Sequence, residues 1–108
     1  MDEQLQLCSF FLADMCYGLR LEYVLEVSRS PQIIPVPCSA PSIAGLMNLR
    51  GKIITAIDLR VRLGLANREK SQESMLVLCQ DSSEEIIGLQ VDKIEDVVFV
   101  SQKNFESS

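Results

Sequence analysis

The sequence predicts an all-β, barrel-like domain with one or two short helices, and three observations carry that expectation. Seven or eight short apolar runs recur along the 108 residues, separated at regular intervals by turn-forming residues. One stretch, Tyr17 to Glu22, alternates apolar and polar side chains with a period of two. All four prolines fall between Ser28 and Ser42, where their fixed φ and missing N–H exclude a long central helix.

Taken in order, Leu5 to Leu12 reads as a strand and Asp14-Met15-Cys16 as a turn. Tyr17, Leu19 and Leu21 alternate with Gly18, Arg20 and Glu22, so the two runs form a hairpin. Glu22 to Val27 is ambiguous: Val24 and Val27 suit a helical turn by spacing and a strand by β-branching. Ile33 to Val36, set among prolines, reads as an extended edge strand. Ser42 is placed to cap a helical turn over Ile43 to Met47. Asn48 to Ile54 is strand, tight turn at Arg50-Gly51, strand, continuing to Ile57. Asp58 caps a short helix, Leu59 to Leu63, which Gly64 ends. Ala66 to Ser74 is a polar loop. Met75 to Cys79 and Ile86 to Val91 are strands joined by the turn Gln80 to Glu85, and Val97 to Val100 is the last strand. A polar tail covers 101–108.

At this length the chain is one domain with one core. No stretch approaches the roughly 20 apolar residues of a membrane span, and the acidic start, Met1-Asp2-Glu3-Gln4, lacks the basic opening of a signal peptide. The net charge of −5 gives no general attraction to nucleic acid or anionic lipid. That charge is uneven: residues 1–49 carry −3, residues 50–70 carry +4 and residues 71–108 carry −6. The basic middle (Arg50, Lys52, Arg60, Arg62, Arg68, Lys70) reads either as a solvated face or as a docking surface for an acidic protein.

Histidine is absent, which removes Ser-His and Cys-His nucleophile pairs, the HExxH zinc site and histidine bases. Glu84-Glu85 and Glu95-Asp96 are adjacent pairs whose side chains diverge on a strand, so neither makes an acid/base dyad. There is no P-loop, no GxGxxG and no CxxC, and no cofactor or metal is called for. Cys8, Cys16, Cys38 and Cys79 stand in or beside apolar sequence and read as buried, reduced thiols of a cytoplasmic protein. Met15, Met47 and Met75 read as core fillers, with Leu46-Met47 open to a binding role.

Arg50 sits among apolar residues before Gly51, and Glu26 is framed by Val24-Leu25 and Val27. A buried Arg50 needs a partner, and Glu26 is the candidate. Such a pair serves structure alone if it only joins strands. Near the surface it sets two charges beside bare apolar side chains, the composition of a specific protein interface.

Gly45 to Leu65 (GLMNLRGKIITAIDLRVRLGL) resembles the signature of the CheW-like domain family: G-hydrophobic-x-N-L-R-G, a hydrophobic strand, then D-L-R-x-x-L-G. Tyr17-Gly18-Leu19, Tyr23 to Val27, Ile34-Pro35-Val36-Pro37 with Ala40-Pro41, and Ile86 to Ile94 with Asp96-Val97-Val98 are similar to further family segments in the same order, covering about residues 8 to 100.

The resemblance implies two packed SH3-like β-barrel subdomains with a groove between them and no catalysis. On this reading the first barrel lies mainly in 17–70, and a partial second barrel comes from 5–16 and 75–100. It implies an adaptor of bacterial chemotaxis that couples the chemoreceptor cytoplasmic tip to the regulatory domain of the histidine kinase CheA. Glu26 and Arg50 match family positions of an ion pair and partner contact; Val24, Gly45 and Gly51 match positions of receptor or kinase coupling; Leu46 lies beside Gly45 in the same motif. The family pattern continues past Asp96-Val97-Val98 with a further hairpin and helix, whereas this sequence ends at Ser108. An incomplete second barrel is therefore expected, in a fragment, in a protein that orders on binding, or in the favoured form, a strand-exchanged homodimer. The readings held against the adaptor are a small-ligand-binding β-barrel sensor and a regulator of another two-component kinase.

Overall fold

The computed structural model describes residues 4–67, 73–80 and 83–101. Eight strands are present among them: β1 (Gln4–Leu12), β2 (Met15–Arg20), β3 (Val24–Ser28), β4 (Ile43–Leu49), β5 (Lys52–Asp58), β6 (Met75–Gln80), β7 (Ile86–Val91) and β8 (Lys93–Ser101). A 3-10 turn, Leu21–Tyr23, precedes β3, and one short helix, α1 (Leu59–Arg62), follows β5. Among the described residues no helix is long and apolar enough to cross a membrane. The all-β expectation holds, with one helix rather than two.

The strands form a three-stranded sheet, ordered β2-β1-β8, and a five-stranded sheet, ordered β3-β6-β7-β5-β4. This corrects the expected partition. The Met75–Val91 hairpin does not join the second unit but forms the centre of the five-stranded sheet, and β2 leaves the first unit to pair with β1. The reason lies in the β6 sequence. Met-Leu-Val-Leu-Cys is apolar without alternation, so both faces of the strand need cover. On one side Leu76 and Leu78 pack with Met47, Ile54 and Ala56 inside the curled five-stranded sheet. On the other, Val77 and Cys79 pack with Cys8, Phe10, Leu12, Val91 and Ile94 in the layer between the sheets. Only a central strand satisfies both.

Local signals behave as their chemistry requires. The Asp58 side chain accepts hydrogen bonds from the N–H groups of Arg60 (3.1 Å) and Val61 (3.5 Å), capping α1. The β4–β5 turn is a two-residue loop with positive φ at both Arg50 (50°) and Gly51 (88°), the primed geometry that matches strand twist. Asn48 Oδ1 accepts from the Gly51 N–H at 2.9 Å and closes it. The first hairpin turns at Ala13-Asp14 rather than over Asp14-Met15-Cys16, because Leu12 pairs with Met15 and both Met15 and Cys16 belong to β2. Where β8 bulges against β1, the buried Ser9 hydroxyl donates to the Asp96 carbonyl (2.8 Å) and accepts from the Asp96 N–H (3.2 Å).

Other expectations fail for non-local reasons. Ile43 to Met47 is strand β4, not a helical turn, since β5 pairs along its whole length. Ile33 to Val36 is no continuous strand: a single bridge joins Ile34 to Leu46, and the prolines at 35 and 37 have no N–H to extend it. Met47 is buried, but Met15 is exposed on β2. The loop at 68–72, with Arg68 and Lys70, the turn residues 81–82 and the tail 102–108 lie outside the described residues.

All four cysteines are free thiols, and only two are buried. Cys8 and Cys79 lie in the layer between the sheets, whereas Cys16 and Cys38 are exposed. Burial pushes the Cys79 thiol up to about 11 and the Cys8 thiol up as well. The unfolded chain therefore loses these protons first as pH rises, and the folded state holds more protons in that window. Stability is accordingly expected to be full below pH ~9 and to fall between ~9 and ~11. Urea midpoints across that range check it: a loss that Cys8→Ser/Cys79→Ser abolishes is expected, and a midpoint flat to pH 11 refutes it.

Candidate functional site

Glu26 and Arg50 come from opposite margins of the five-stranded sheet. Glu26 is on β3, the first strand in its order, and Arg50 is in the turn that ends β4, the last. Their ion pair, Arg50 Nη1 donating to Glu26 Oε2 at 2.8 Å, requires those margins to curl towards each other. Pairing of Glu26 with Leu78 puts its side chain on the barrel-core face of the sheet. The pair thus links the two edges of the five-stranded sheet. Glu26 is partly covered, its side chain 35% exposed, while that of Arg50 is 76% exposed.

Magnitudes argue against a purely structural role. An exposed ion pair contributes about 0–1 kcal/mol, while a non-glycine residue in the left-handed region costs roughly 1–2 kcal/mol. Arg50 is therefore at best neutral for stability, and Asn or Gly would suit that turn position better. Leu25 and Val27, which flank Glu26 in sequence, and Ile53 on β5 are exposed apolar residues. The pair lies at the surface rather than in the core.

The remaining candidates divide. Val24 pairs with Cys79 and packs against the layer between the sheets. Leu46 is half-buried on β4 and holds the Ile34 bridge. Gly51 completes the turn that aims Arg50. Gly45 is buried in β4 with φ +153°, and a Cβ there would fall on the Ile34 carbonyl and lie 2.9 Å from Ile33 Cγ2.

Sequence reasoning missed a second charged pair. Arg60, placed in the basic patch, is buried (side chain 8% exposed) and lies against Asp92 (15%). Its Nε donates to both Asp92 oxygens, at 2.9 and 3.0 Å, its Nη2 also donates to Oδ2, and its Nη1 donates to the Ala66 carbonyl at 3.2 Å. The hydrogen bonds to the Asp92 carboxylate and its charge push the guanidinium pKa above its ordinary value, outweighing desolvation. Asp92 also accepts from the Ala13 N–H (2.6 Å), and its own N–H donates to the Phe11 carbonyl (3.0 Å). One carboxylate thus joins α1, the β7–β8 junction and the β1–β2 turn. Among the described residues no group of three or more metal-ligating side chains converges.

A family model described as the CheW-like domain matches residues 6–108. The chain belongs to the CheW-like domain family. A CheW chemotaxis protein of Treponema pallidum (strain Nichols) is 34% identical over 114 residues, covering 98% of this chain and 64% of that protein. One of Bacillus subtilis (strain 168) is 32% identical over 92 residues, covering 85% and 58%. The crystal structure of the scaffolding protein TtCheW from Thermoanaerobacter tengcongensis superposes with a TM-score of 0.87 at 34% identity, over 96% of this chain and 70% of that one. This CheW-like chain spans about two thirds or less of the length of the curated relatives. Its matched span holds both the Glu26–Arg50 and the Arg60–Asp92 pairs.

Proposed function

We propose that this CheW-like chain is a non-catalytic adaptor of chemotaxis signalling. It joins the cytoplasmic tip of a chemoreceptor to the regulatory domain of the histidine kinase CheA, and works in the cytoplasm beside the receptors. The observation that carries this reading is the Glu26–Arg50 pair: held at the surface between the two edge strands of the five-stranded sheet, with Arg50 at a positive φ that the pairing does not repay in stability. Arg is enriched at interface centres, and Leu25 and Val27, on the same strand as Glu26, are left uncovered. Membership of the CheW-like family supports it, as does the likeness to TtCheW, which is described as a scaffolding protein. A small-ligand sensor fits less well. The barrel interior is filled by Ile54, Ala56, Leu76 and Leu78, all at or below 2% exposure.

Arg50→Ala and Glu26→Ala are each expected to weaken binding to the CheA regulatory domain about tenfold or more, in the range of interface hot spots. Each is expected to shift stability by less than about 1 kcal/mol. Titration calorimetry reads the first and urea unfolding the second. Exchanging the two charges, Glu26→Arg with Arg50→Glu, rescues binding if the pair matters only as a pair; continued loss means that the partner reads Arg50 itself. Wild-type affinity in both alanine variants refutes the interface role. Light scattering on the same samples gives the mass of the chain alone, and separates a monomer from the strand-exchanged dimer anticipated from sequence.

A further inference from the structure

The chain passes between its two sheets twice. The first passage, from β2 to β3, is the 3-10 turn Leu21–Tyr23; the second, from β7 to β8, is the single residue Asp92. Between the sheets lies an apolar layer built on Cys8, Phe10, Leu12, Val77, Val91 and Ile94. Apolar burial has no direction, so that layer holds the sheets together without by itself fixing the angle between them. Direction comes from hydrogen bonds, and Asp92 gathers them from both sides. On the side of the three-stranded sheet, its carboxylate accepts from the Ala13 N–H in the β1–β2 turn, and its own N–H donates to the Phe11 carbonyl in β1. On the side of the five-stranded sheet, it meets the planar fork of Arg60 through Nε and Nη2. Arg60 is itself fixed. It stands in α1, directly after β5; Asp58 accepts from its backbone N–H, and its Nη1 donates to the Ala66 carbonyl. An unbroken line of directional contacts thus runs from β5 to β1 through one carboxylate.

We infer that Asp92 and Arg60 are positioning residues: they set the angle between the two sheets, and with it the shape that the adaptor presents to its partners. Stability alone does not call for an ion pair here, since well-packed apolar residues of similar volume stabilise as much. What apolar residues do not supply is direction, and a bidentate guanidinium–carboxylate contact does. Exposed apolar residues stand on both sides of the joint: Leu25, Val27 and Ile53 on the five-stranded sheet, and Met15, Val98 and Phe99 on the three-stranded one. A binding shape that draws on both sheets exists only while the angle is held. The inference rests on the adaptor reading. Neither residue touches a partner in it, for both side chains are largely buried.

Paired spin labels read the angle directly. One label sits on Cys16, exposed on β2, and the other on β5 at Ile53→Cys, in a Cys38→Ser background; Cys8 and Cys79 are buried and stay unlabelled. This parent is expected to give one narrow distance distribution. Arg60→Lys keeps the charge but not the fork, and is expected to widen the distribution about twofold. Arg60→Met with Asp92→Leu restores packing without direction, and is expected to widen it as much or more. Leu76→Ala weakens the core of the five-stranded sheet without touching the joint, and its distribution is expected to stay as narrow as the parent's. The unlabelled proteins are then assembled with receptor and CheA kinase. Receptor control of kinase activity is expected to fall about tenfold in Arg60→Lys and in the double variant, and to hold in Leu76→Ala. Narrow distributions in both joint variants, equal widening in Leu76→Ala, or full receptor control alongside a widened distribution each overturn the inference and leave the adaptor reading standing. A wild-type chain that gives no receptor control of the kinase overturns the adaptor reading, and the distances then decide the joint by themselves.

Discussion

Asp92→Ala is expected to destabilise the fold by about 3–5 kcal/mol, the cost of leaving a buried guanidinium without its counter-charge. A small domain has about 5–15 kcal/mol in all, so the variant stands near unfolding at 37 °C. Arg60 is already shielded from water, and its other acceptor, the Ala66 carbonyl, carries no net charge. The loss has a second part. The Ala13 N–H gives up its acceptor, and the β1–β2 turn comes free of the β7–β8 junction. Asp92→Asn is expected to be nearly as harmful, because the amide keeps the shape but not the charge. Urea unfolding measures both. The decisive control is Arg60→Met with Asp92→Leu, which removes both charges and replaces them with packed apolar groups. It is expected to recover at least half of the single-variant loss, since a buried pair is costly to break but not costly to replace whole. A loss below about 1 kcal/mol in Asp92→Ala would show that Arg60 reaches water and that the pair is not a buried clasp.

Leu76→Ala is expected to cost about 2–5 kcal/mol, with a cavity term beyond the lost transfer energy. Leu76 is fully buried within the curled sheet, and its side chain lies over Gly88, where an added Cβ would come within 2.9 Å of Leu76 Cδ2. The two positions share one volume. Gly88→Ala alone is expected to destabilise by overpacking, about 1–3 kcal/mol. In the Leu76→Ala background the same methyl enters vacated space, so the double variant should be more stable than the sum of the singles implies, by about 1 kcal/mol or more. Denaturant midpoints of the four proteins close the cycle. Simple additivity would mean that the strands relax apart and that this core is not close-packed.

Much of the site was legible in the sequence because its signals are local or belong to a motif. A capping aspartate, a two-residue turn with glycine and an alternating strand each declare themselves within a few residues, as Asp58, Arg50-Gly51 and Tyr17 to Arg20 do. The Glu26–Arg50 pairing was legible by elimination, since each charge interrupts an apolar run. Arg60 was not. It stands in a basic stretch, four charges within eleven residues between Arg50 and Arg60 if Asp58 is counted, and nothing nearby distinguishes it from Arg62. Its partner is 32 residues away, at a junction between strands whose pairing is itself non-local.

Chain chemistry by itself determined that this is an all-β member of the CheW-like family with a charged pair at its motif, and that proline and glycine punctuate it where they do. The tertiary fold alone decided which sheet each strand joins, that Ile43 to Met47 is extended, that Cys16 and Cys38 face solvent, and that one arginine of the basic segment lies buried. The physical reason is separation. Turn and cap preferences are energies between neighbours in sequence, whereas burial and strand partnership depend on which distant surfaces cover one another. The two-sided apolar run of β6 demanded such cover without specifying its source.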